Sequence, residues 1–417
     1  NAKAKRKTSE RRPTLIVMPR SLIYNWIAET KRFTKLKILD YSTPDRSASH
    51  LDDYDIVITT YAIMRRDIAD LQAHSFFYAI LDEAQNIKNA QSQASKAAKL
   101  INSEFKLCMT GTPVENHLGE LWSLFEFLNP GFLGGSSIGK FTAFTGHDTD
   151  DETIELLAKA VSPFILRRTK EQVLKDLPPK TEQTIFCELP PAQRKQYKAL
   201  SNYYRARLDK KIKSDGLNKS KIQVLEALLR LRQVACHPGL VDKKQIGKPS
   251  AKTDALLEQL SEVVKSGHKA LVFSQFTSML SMVKKFLDKQ GWTYEYLDGK
   301  TKDRQGKVNR FQTDKDCPIF LISLKAGGVG LNLTAADYCF ILDPWWNPAV
   351  EAQAIDRAHR IGQTKKVFAY RFVAKDTVEE KILELQSQKR ELANAIVTAN
   401  GSLIRGMTKD DLGILLS

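Results

Sequence analysis

The sequence predicts an α/β protein with two parallel-sheet lobes, helical insertions between them and C-terminal bracing helices. Three observations carry this reading. Short segments that are apolar on both faces recur between helical stretches in two separate series, the pattern of strands buried within a parallel sheet. Between the two series the strand signal almost vanishes and helical periodicity takes over. At 417 residues the chain is also too long for one compact core, and about 150 residues per domain suggests two or three units.

The first series, Thr14–Met18, Ile56–Thr60, Tyr78–Leu81 and Lys106–Met109, places one lobe over 1–113. Residues 114–190 read as a first helical insertion and linker, broken at Pro130–Gly131, Pro178–Pro179 and Pro190–Pro191. Residues 191–249 read as a second, basic helical insertion. Within Arg194–Arg232 twelve Lys or Arg stand against three acids, on stretches that also carry Tyr197, Tyr203 and Tyr204. Such a helix face is either simply solvated or turned toward DNA. The second series, Ala270–Phe273, Tyr294–Leu297, Ile319–Ser323, Tyr338–Leu342 and Val367–Phe372, places the other lobe over 250–375. Residues 376–417 read as a long amphipathic helix and a short one, the latter opened by Thr408 as N-cap with Asp411 three residues on. No fixed-period repeat is present.

Hydrophobic residues make up 42% and charged residues 27%, which suits a globular protein with a real core rather than a disordered chain. No run approaches the roughly 20 apolar residues of a membrane span, and the N-terminus lacks a signal-peptide core, so an intracellular protein without a membrane partner is expected. The five cysteines, Cys108, Cys187, Cys236, Cys317 and Cys339, form no Cys-x-x-Cys pair and read as free thiols. The net charge of +16 points to a polyanionic partner, although Lys3, Lys5, Arg6, Lys7, Arg11 and Arg12 supply part of it from a terminal run.

Asp82 and Glu83 follow a buried strand, so two carboxylates emerge at the carboxyl edge of a parallel sheet, where α/β folds bind ligands. Mg²⁺-nucleotide chemistry needs a carboxylate to hold the metal and a polar group to orient the attacking water, which assigns Asp82 and Glu83 to those roles. Thr110 and Thr112, on the turn Met109-Thr110-Gly111-Thr112-Pro113, are placed to bond to the neighbouring acid loop. From Asn347 as cap and Pro348 as first residue to Gly362, one helix is predicted. Gln353, Arg357 and Arg360 then share a face, with the two arginines as fingers for a γ-phosphate.

Together these segments resemble the Swi/Snf-like ATPases of helicase superfamily two, over nearly the whole chain. Thr14–Trp26 (TLIVMPRSLIYNW) resembles the family's first DNA-contacting motif, Asp82–Gln85 its Walker B acids and Thr110–Pro113 its coupling motif. Leu271–Phe276 (LVFSQF), Ile322–Thr334 (ISLKAGGVGLNLT), Asp343–Pro348 (DPWWNP) and Gln353–Gln363 (QAIDRAHRIGQ) complete the set. Pro163–Lys170 resembles the inter-lobe linker. The DEAQ form resembles bacterial or archaeal members.

The resemblance implies two RecA-like lobes, ATP and Mg²⁺ as cofactors, and tracking along duplex DNA that displaces bound proteins without full strand separation. It implies Asp82, Gln353 and Gly330 as nucleotide contacts, with magnesium on Asp82. Phosphate contacts fall to Ser21, Thr59, Thr60, Gln275, Ser323, Lys325 and Gly327, with Gly328 and Gly330, where glycines let backbone N–H groups approach closely. Trp346 is expected near the DNA path, or with Trp345 in the core. The family's Gly-x-x-x-x-Gly-Lys-Thr loop has no match, and neither Gly139-Lys140 nor Gly267-His268-Lys269 completes it. The expectation is a chain lacking the segment with that loop, binding DNA but hydrolysing ATP poorly. A monomer is expected, cytoplasmic if bacterial or archaeal and nuclear if eukaryotic. The alternatives are a strand-separating helicase and a non-hydrolysing DNA-binding scaffold.

Overall fold

The computed structural model describes residues 12–111, 118–133, 159–166, 168, 170–174, 176–327, 330–346 and 348–385. The chain divides into two compact units, with the division at residues 167–168. Each unit is built on one parallel sheet.

The first unit holds strands β1 (Thr14–Met18), β2 (Ile38–Asp40), β3 (Ile56–Thr60), β4 (Ser75–Asp82) and β5 (Asn102–Met109), in the order β2-β3-β1-β4-β5. Helices α1 (Ile23–Phe33), α2 (Tyr61–Arg66), α3 (Ile68–Gln72), α4 (Gln93–Lys99) and α5 (Leu118–Leu128) connect and cover them. Leu15, Val17, Val57 and Leu81 are fully buried, as expected of strands covered on both faces. The sequence pattern missed β2, whose three residues are only half-buried at the end of the sheet. Register sets the chemistry. Met18 pairs with Thr60, Val17 with Leu81 and Asp82 with Met109, so the strands end in one row and carry Thr60 and Asp82 to the same carboxyl edge.

The second unit has six parallel strands in the order β6-β11-β10-β7-β9-β8. They are β6 (Lys180–Cys187), β7 (Ala270–Ser274), β8 (Tyr294–Leu297), β9 (Ile319–Ser323), β10 (Tyr338–Ile341) and β11 (Val367–Ala374). The strand β6 corrects the assignment of 114–190 to a helical insertion and linker. It pairs with β11 over its whole length, from Lys180 against Val367 to Cys187 against Ala374. Its first five residues, Lys180-Thr181-Glu182-Gln183-Thr184, are polar because it is an edge strand, and this hid it from a search for apolar runs.

Helices α6 (Lys170–Val173), α7 (Pro191–Cys236), α8 (Ala251–Lys265), α9 (Thr277–Gln290), α10 (Arg304–Thr313), α11 (Leu324–Gly327) and α12 (Pro348–Ile355) complete the unit. The basic insertion is dominated by α7, 46 helical residues opened by Pro191, where proline's missing N–H costs nothing, and doubled back so that Gln193 Nε2 donates to the Val234 and Ala235 carbonyls at 2.8 and 3.2 Å. It stands on a buried cluster in which Tyr197, Tyr204, Leu208, Leu228 and Leu231 meet Val378, Ile382 and Leu385 of helical residues 378–385. The Val378 N–H donates to the Tyr197 hydroxyl at 2.7 Å. The expected short helix at Thr408 and Asp411 lies outside the described residues. Cys187, Cys236, Cys317 and Cys339 are buried free thiols, and Cys108 is half-buried.

Candidate functional site

In the first unit β4 delivers Asp82 and Glu83 to the carboxyl edge, both half-buried. The chain turns sharply there. Glu83 adopts a left-handed backbone, φ 51° and ψ 52°, a conformation that costs a non-glycine residue about 1–2 kcal/mol. The turn is locked from several sides. The Glu83 N–H donates to Asp82 Oδ1 at 2.8 Å, the Trp26 indole N–H donates to Asp82 Oδ2 at 2.8 Å, and the Tyr61 hydroxyl donates to the Asp82 carbonyl at 2.8 Å. Burial, and then the charges of Cys108 and Asp82, push the Tyr61 phenol far up, so it stays a neutral donor.

Gln85 extends the network. Its Nε2 donates to Glu83 Oε2 at 2.6 Å, and its Oε1 accepts from the Thr110 hydroxyl at 2.9 Å. Thr110 therefore does bond to the acid loop; Thr112 lies outside the described residues. Sequence reasoning missed Tyr61 altogether, and it placed Trp26 in a DNA-contacting segment rather than on a carboxylate. Among the described residues neither Asp82 nor Glu83 forms an ion pair. Two adjacent, part-buried carboxylates without a protein cation fit Mg²⁺, which takes one or two carboxylates and completes its shell with water and phosphate.

In the second unit the loops leaving β7, β9 and β10 converge at the carboxyl edge. Asp343, fully buried, accepts from the Ser274 hydroxyl and from the Gln275 N–H, the latter at 3.1 Å. Burial pushes its carboxyl up to about 6, against the pull of the Arg232 guanidinium. Arg232 comes from α7. It donates to the Pro344 carbonyl and, at 3.3 Å, to Gln275 Oε1, and its guanidinium lies 5.3 Å from the centre of the Trp346 ring. The Trp345 N–H donates to Glu351 Oε1 at 2.6 Å, and Glu351 Oε2 accepts from Arg371 at 2.6 Å. Beneath them Lys252, fully buried, bonds to the Leu342 and Phe372 carbonyls at 2.6 and 3.0 Å and pairs with buried Glu379 at 2.5 Å.

The predicted helix over Asn347–Gly362 is corrected: α12 ends at Ile355, and Asn347 lies outside the described residues. Gln353 is helical, whereas Arg357 and Arg360 sit on tight turns that follow, so helical spacing does not align the three. Tertiary bonds replace the helix. Leu333 N–H donates to the Arg357 carbonyl at 2.9 Å and Arg360 Nη1 to the Leu331 carbonyl at 3.2 Å. Buried Gln363, given no role from sequence, donates to the carbonyls of Thr334, Ala336 and Ala358. The arginine segment is thereby seated on the glycine-rich one.

The other expected contacts separate by exposure. Ser21, Gly330, Trp346 and Gln353 are half-buried and Lys325 is exposed, while Gly327 closes α11. Gly330 has φ 73°, a value that favours glycine. Thr60 is nearly buried and caps α2 by accepting from the Ile63 N–H at 3.2 Å. Ser323 is 4% exposed at the end of β9, and Gln275 is half-buried with its Nε2 closed off from solvent. Thr59 is fully buried with its hydroxyl donating to the Tyr41 carbonyl at 3.3 Å, so the expected phosphate contact there gives way to an internal bond. Gly328 lies outside the described residues. No helix among the described residues is long and apolar enough to cross a membrane.

Residues 2–240 match the family described as SNF2-related domain, and residues 251–362 match the Helicase conserved C-terminal domain. The chain is 38% identical over 406 residues to an uncharacterized ATP-dependent helicase of Mycoplasma pneumoniae, covering 96% of this chain and 38% of that protein. It is 35% identical over 419 residues to the putative ATP-dependent helicase/translocase YwqA of Bacillus subtilis, covering 96% and 45%. It thus spans less than half the length of these relatives. A solved Sulfolobus solfataricus SWI2/SNF2 ATPase core in complex with dsDNA is 34% identical, with 99% of this chain and 88% of that chain covered at a TM-score of 0.49. With more than half of its length in the first of these matches, the chain belongs to the SNF2-related family of superfamily two.

Proposed function

We propose that this chain is motor machinery of an ATP-dependent translocase on duplex DNA, which couples hydrolysis to tracking and to displacement of bound proteins. The observation that carries the reading is the bonded path Trp26–Asp82–Glu83–Gln85–Thr110 in the first unit. It fixes two carboxylates at a sheet edge and ties them to the strand end that resembles the coupling motif. Mg²⁺ bound with ATP would neutralise charge on the transferring phosphate.

Asp82 would hold that ion, aimed by Trp26 and by the Glu83 N–H. Glu83, held by Gln85 at Oε2, keeps Oε1 for the attacking water, which it orients and whose proton it accepts. Arg357 and Arg360 would stabilise charge that develops on the phosphoryl oxygens, with Gln353 and Gly330 as further nucleotide contacts. Ser21, Thr60, Gln275, Ser323, Lys325, Gly327 and Trp346 are proposed at or beside the DNA backbone, because a motor must step over any sequence and so reads phosphates rather than bases. The basic balance of the chain fits that partner.

The test is phosphate release with and without duplex DNA. It requires a form of the protein that also carries a Gly-x-x-x-x-Gly-Lys-[Ser/Thr] loop, which these 417 residues do not contain. Duplex of any sequence is expected to stimulate release more than single strands do. Turnover indifferent to DNA, or stimulated only by single strands, overturns the reading.

A further inference from the structure

At the foot of α7, outside the segments that resemble family motifs, a cleft of about 290 Å³ opens between the helix's first turns and the end of β11. Its walls hold Arg194, Lys198, Arg205 and Lys375 against a single acid, Asp376, over a floor of buried Leu189 and Tyr197. Spacings of four and seven residues put Arg194, Lys198 and Arg205 on one stripe of the helix about 16 Å long. Among the described residues no acidic side chain is within ion-pair reach of Arg194 or Lys198. Lys375 pairs with the exposed Glu188 at 3.5 Å. Beside the stripe, Lys381 is held below the usual lysine range by burial and then by the charge of Arg205, against the opposing charges of Glu384 and Glu380.

A merely solvated helix face spreads its charges. Here Arg194 and Lys198 of α7 and Lys375 beyond β11 line one cleft, an arrangement that costs repulsion which an anion would offset. The location is also informative. β6 leads into α7 and β11 leads into Lys375, so the cleft lies at the carboxyl edge of the sheet, on its β6–β11 flank. All six strands are parallel, and the Ser274, Ser323 and Asp343 loops leave β7, β9 and β10 at that same edge. The length of the stripe selects among anions. One phosphate group cannot touch cations about 16 Å apart, whereas one strand of a duplex presents a charge about every 3.4 Å of axis.

We propose that the Arg194–Lys198–Arg205 stripe is a second backbone grip, which holds phosphodiesters of a nucleic-acid strand through residues outside the loops that resemble family motifs. It rests on the duplex-DNA reading above. The test is fluorescence anisotropy with a random-sequence duplex between about 50 and 200 mM salt, comparing the chain with its Arg194→Gln/Lys198→Gln variant. Both side chains face the cleft, so unfolding temperature should not change. The slope of log affinity against log salt is expected to become shallower by about two, one unit per lost phosphate contact. A Lys289→Gln/Lys315→Gln variant, which removes the same charge at the opposite edge of the sheet, should keep the parental slope.

Equal slopes in parent and Arg194/Lys198 variant, or an equal loss in the control, overturn the grip while leaving duplex binding standing. If inorganic phosphate at matched ionic strength displaces duplex from the parent but not from the variant, the cleft takes small anions and the backbone proposal falls. No duplex binding by the parent refutes this inference and the reading beneath it together.

Discussion

Trp26→Phe isolates one hydrogen bond in the acid network. The substitution keeps an aromatic ring on α1 and deletes the N–H that donates to Asp82 Oδ2 at 2.8 Å. A hydrogen bond to a charged group contributes about 1.5–3 kcal/mol. Asp82 is half-buried, so water takes over part of the lost bond, and Oδ1 keeps the Glu83 N–H. The low end applies, about 1.5 kcal/mol, which is roughly tenfold in an equilibrium constant. Because the bond aims the carboxylate proposed to hold the metal, the change should appear as about tenfold weaker half-saturation by Mg²⁺, with maximal turnover little altered. A magnesium titration of DNA-stimulated phosphate release, in a form that hydrolyses ATP, measures it. An unchanged magnesium dependence refutes the orienting role of Trp26. Lost duplex affinity at unchanged magnesium dependence would instead place Trp26 on DNA, as the sequence suggests.

Glu83→Gln preserves shape and the bond from Gln85, so ATP and duplex binding should persist while turnover falls on the order of 10²–10⁴-fold; steady-state and binding assays should separate rate from affinity. Arg357→Ala or Arg360→Ala should lower turnover on the order of 10³-fold with duplex affinity kept, as read by DNA-stimulated phosphate release. Glu379→Gln leaves the fully buried Lys252 ammonium uncompensated and should cost roughly 3–5 kcal/mol in denaturant unfolding of the second unit. Asp343 has its folded-state value raised to about 6, above that of the unfolded chain, so its protonation favours folding as pH falls through that value. Relative to Asp343→Asn, the parent should therefore gain about 1 kcal/mol between pH 7 and pH 5 in unfolding titrations, a gain lost again as pH rises.

What was legible in the sequence was whatever burial writes as a local pattern. The strands β1, β3, β7, β9 and β10 are apolar on both faces because helices cover both sides, and each appeared near its true position. At sheet edges the signal fails. β6 opens with five polar residues and β2 has only three residues, so neither stands out although both complete their sheets. Helix length failed differently at Arg357 and Arg360. A capping residue and a distant glycine bracket a plausible helix, but bonds from Leu333 and Gln363 bind the segment to another loop and end α12 at Ile355. The acids of the first unit were found because strand and carboxylates adjoin in sequence. Tyr61 was not, since its partner Asp82 is 21 residues away, and only the register of the parallel strands brings them together.

The helical segment α7 shows what motif reading alone leaves out. Charge counting saw only that the segment is basic, yet its cations do two different jobs. Arg232, near one end, points inward: its guanidinium is buried, lies near the Trp346 and Phe276 rings and bonds to the Pro344 carbonyl. Burial alone would lower its basicity, but Asp343 opposes that, so each group makes the other's burial tolerable. Arg194 and Lys198, on the first arm of the doubled-back segment, point outward into the cleft. One helical segment thus holds the Asp343–Trp346 loop through a desolvated cation and presents solvated cations from its first arm, which lies beside its last turns where Gln193 Nε2 donates to the Val234 and Ala235 carbonyls. In the first case shape and pairing fix the residue, so lysine cannot replace arginine; in the second only charge and reach matter. The two roles therefore predict opposite tolerance to the same Arg→Lys exchange within one helical segment.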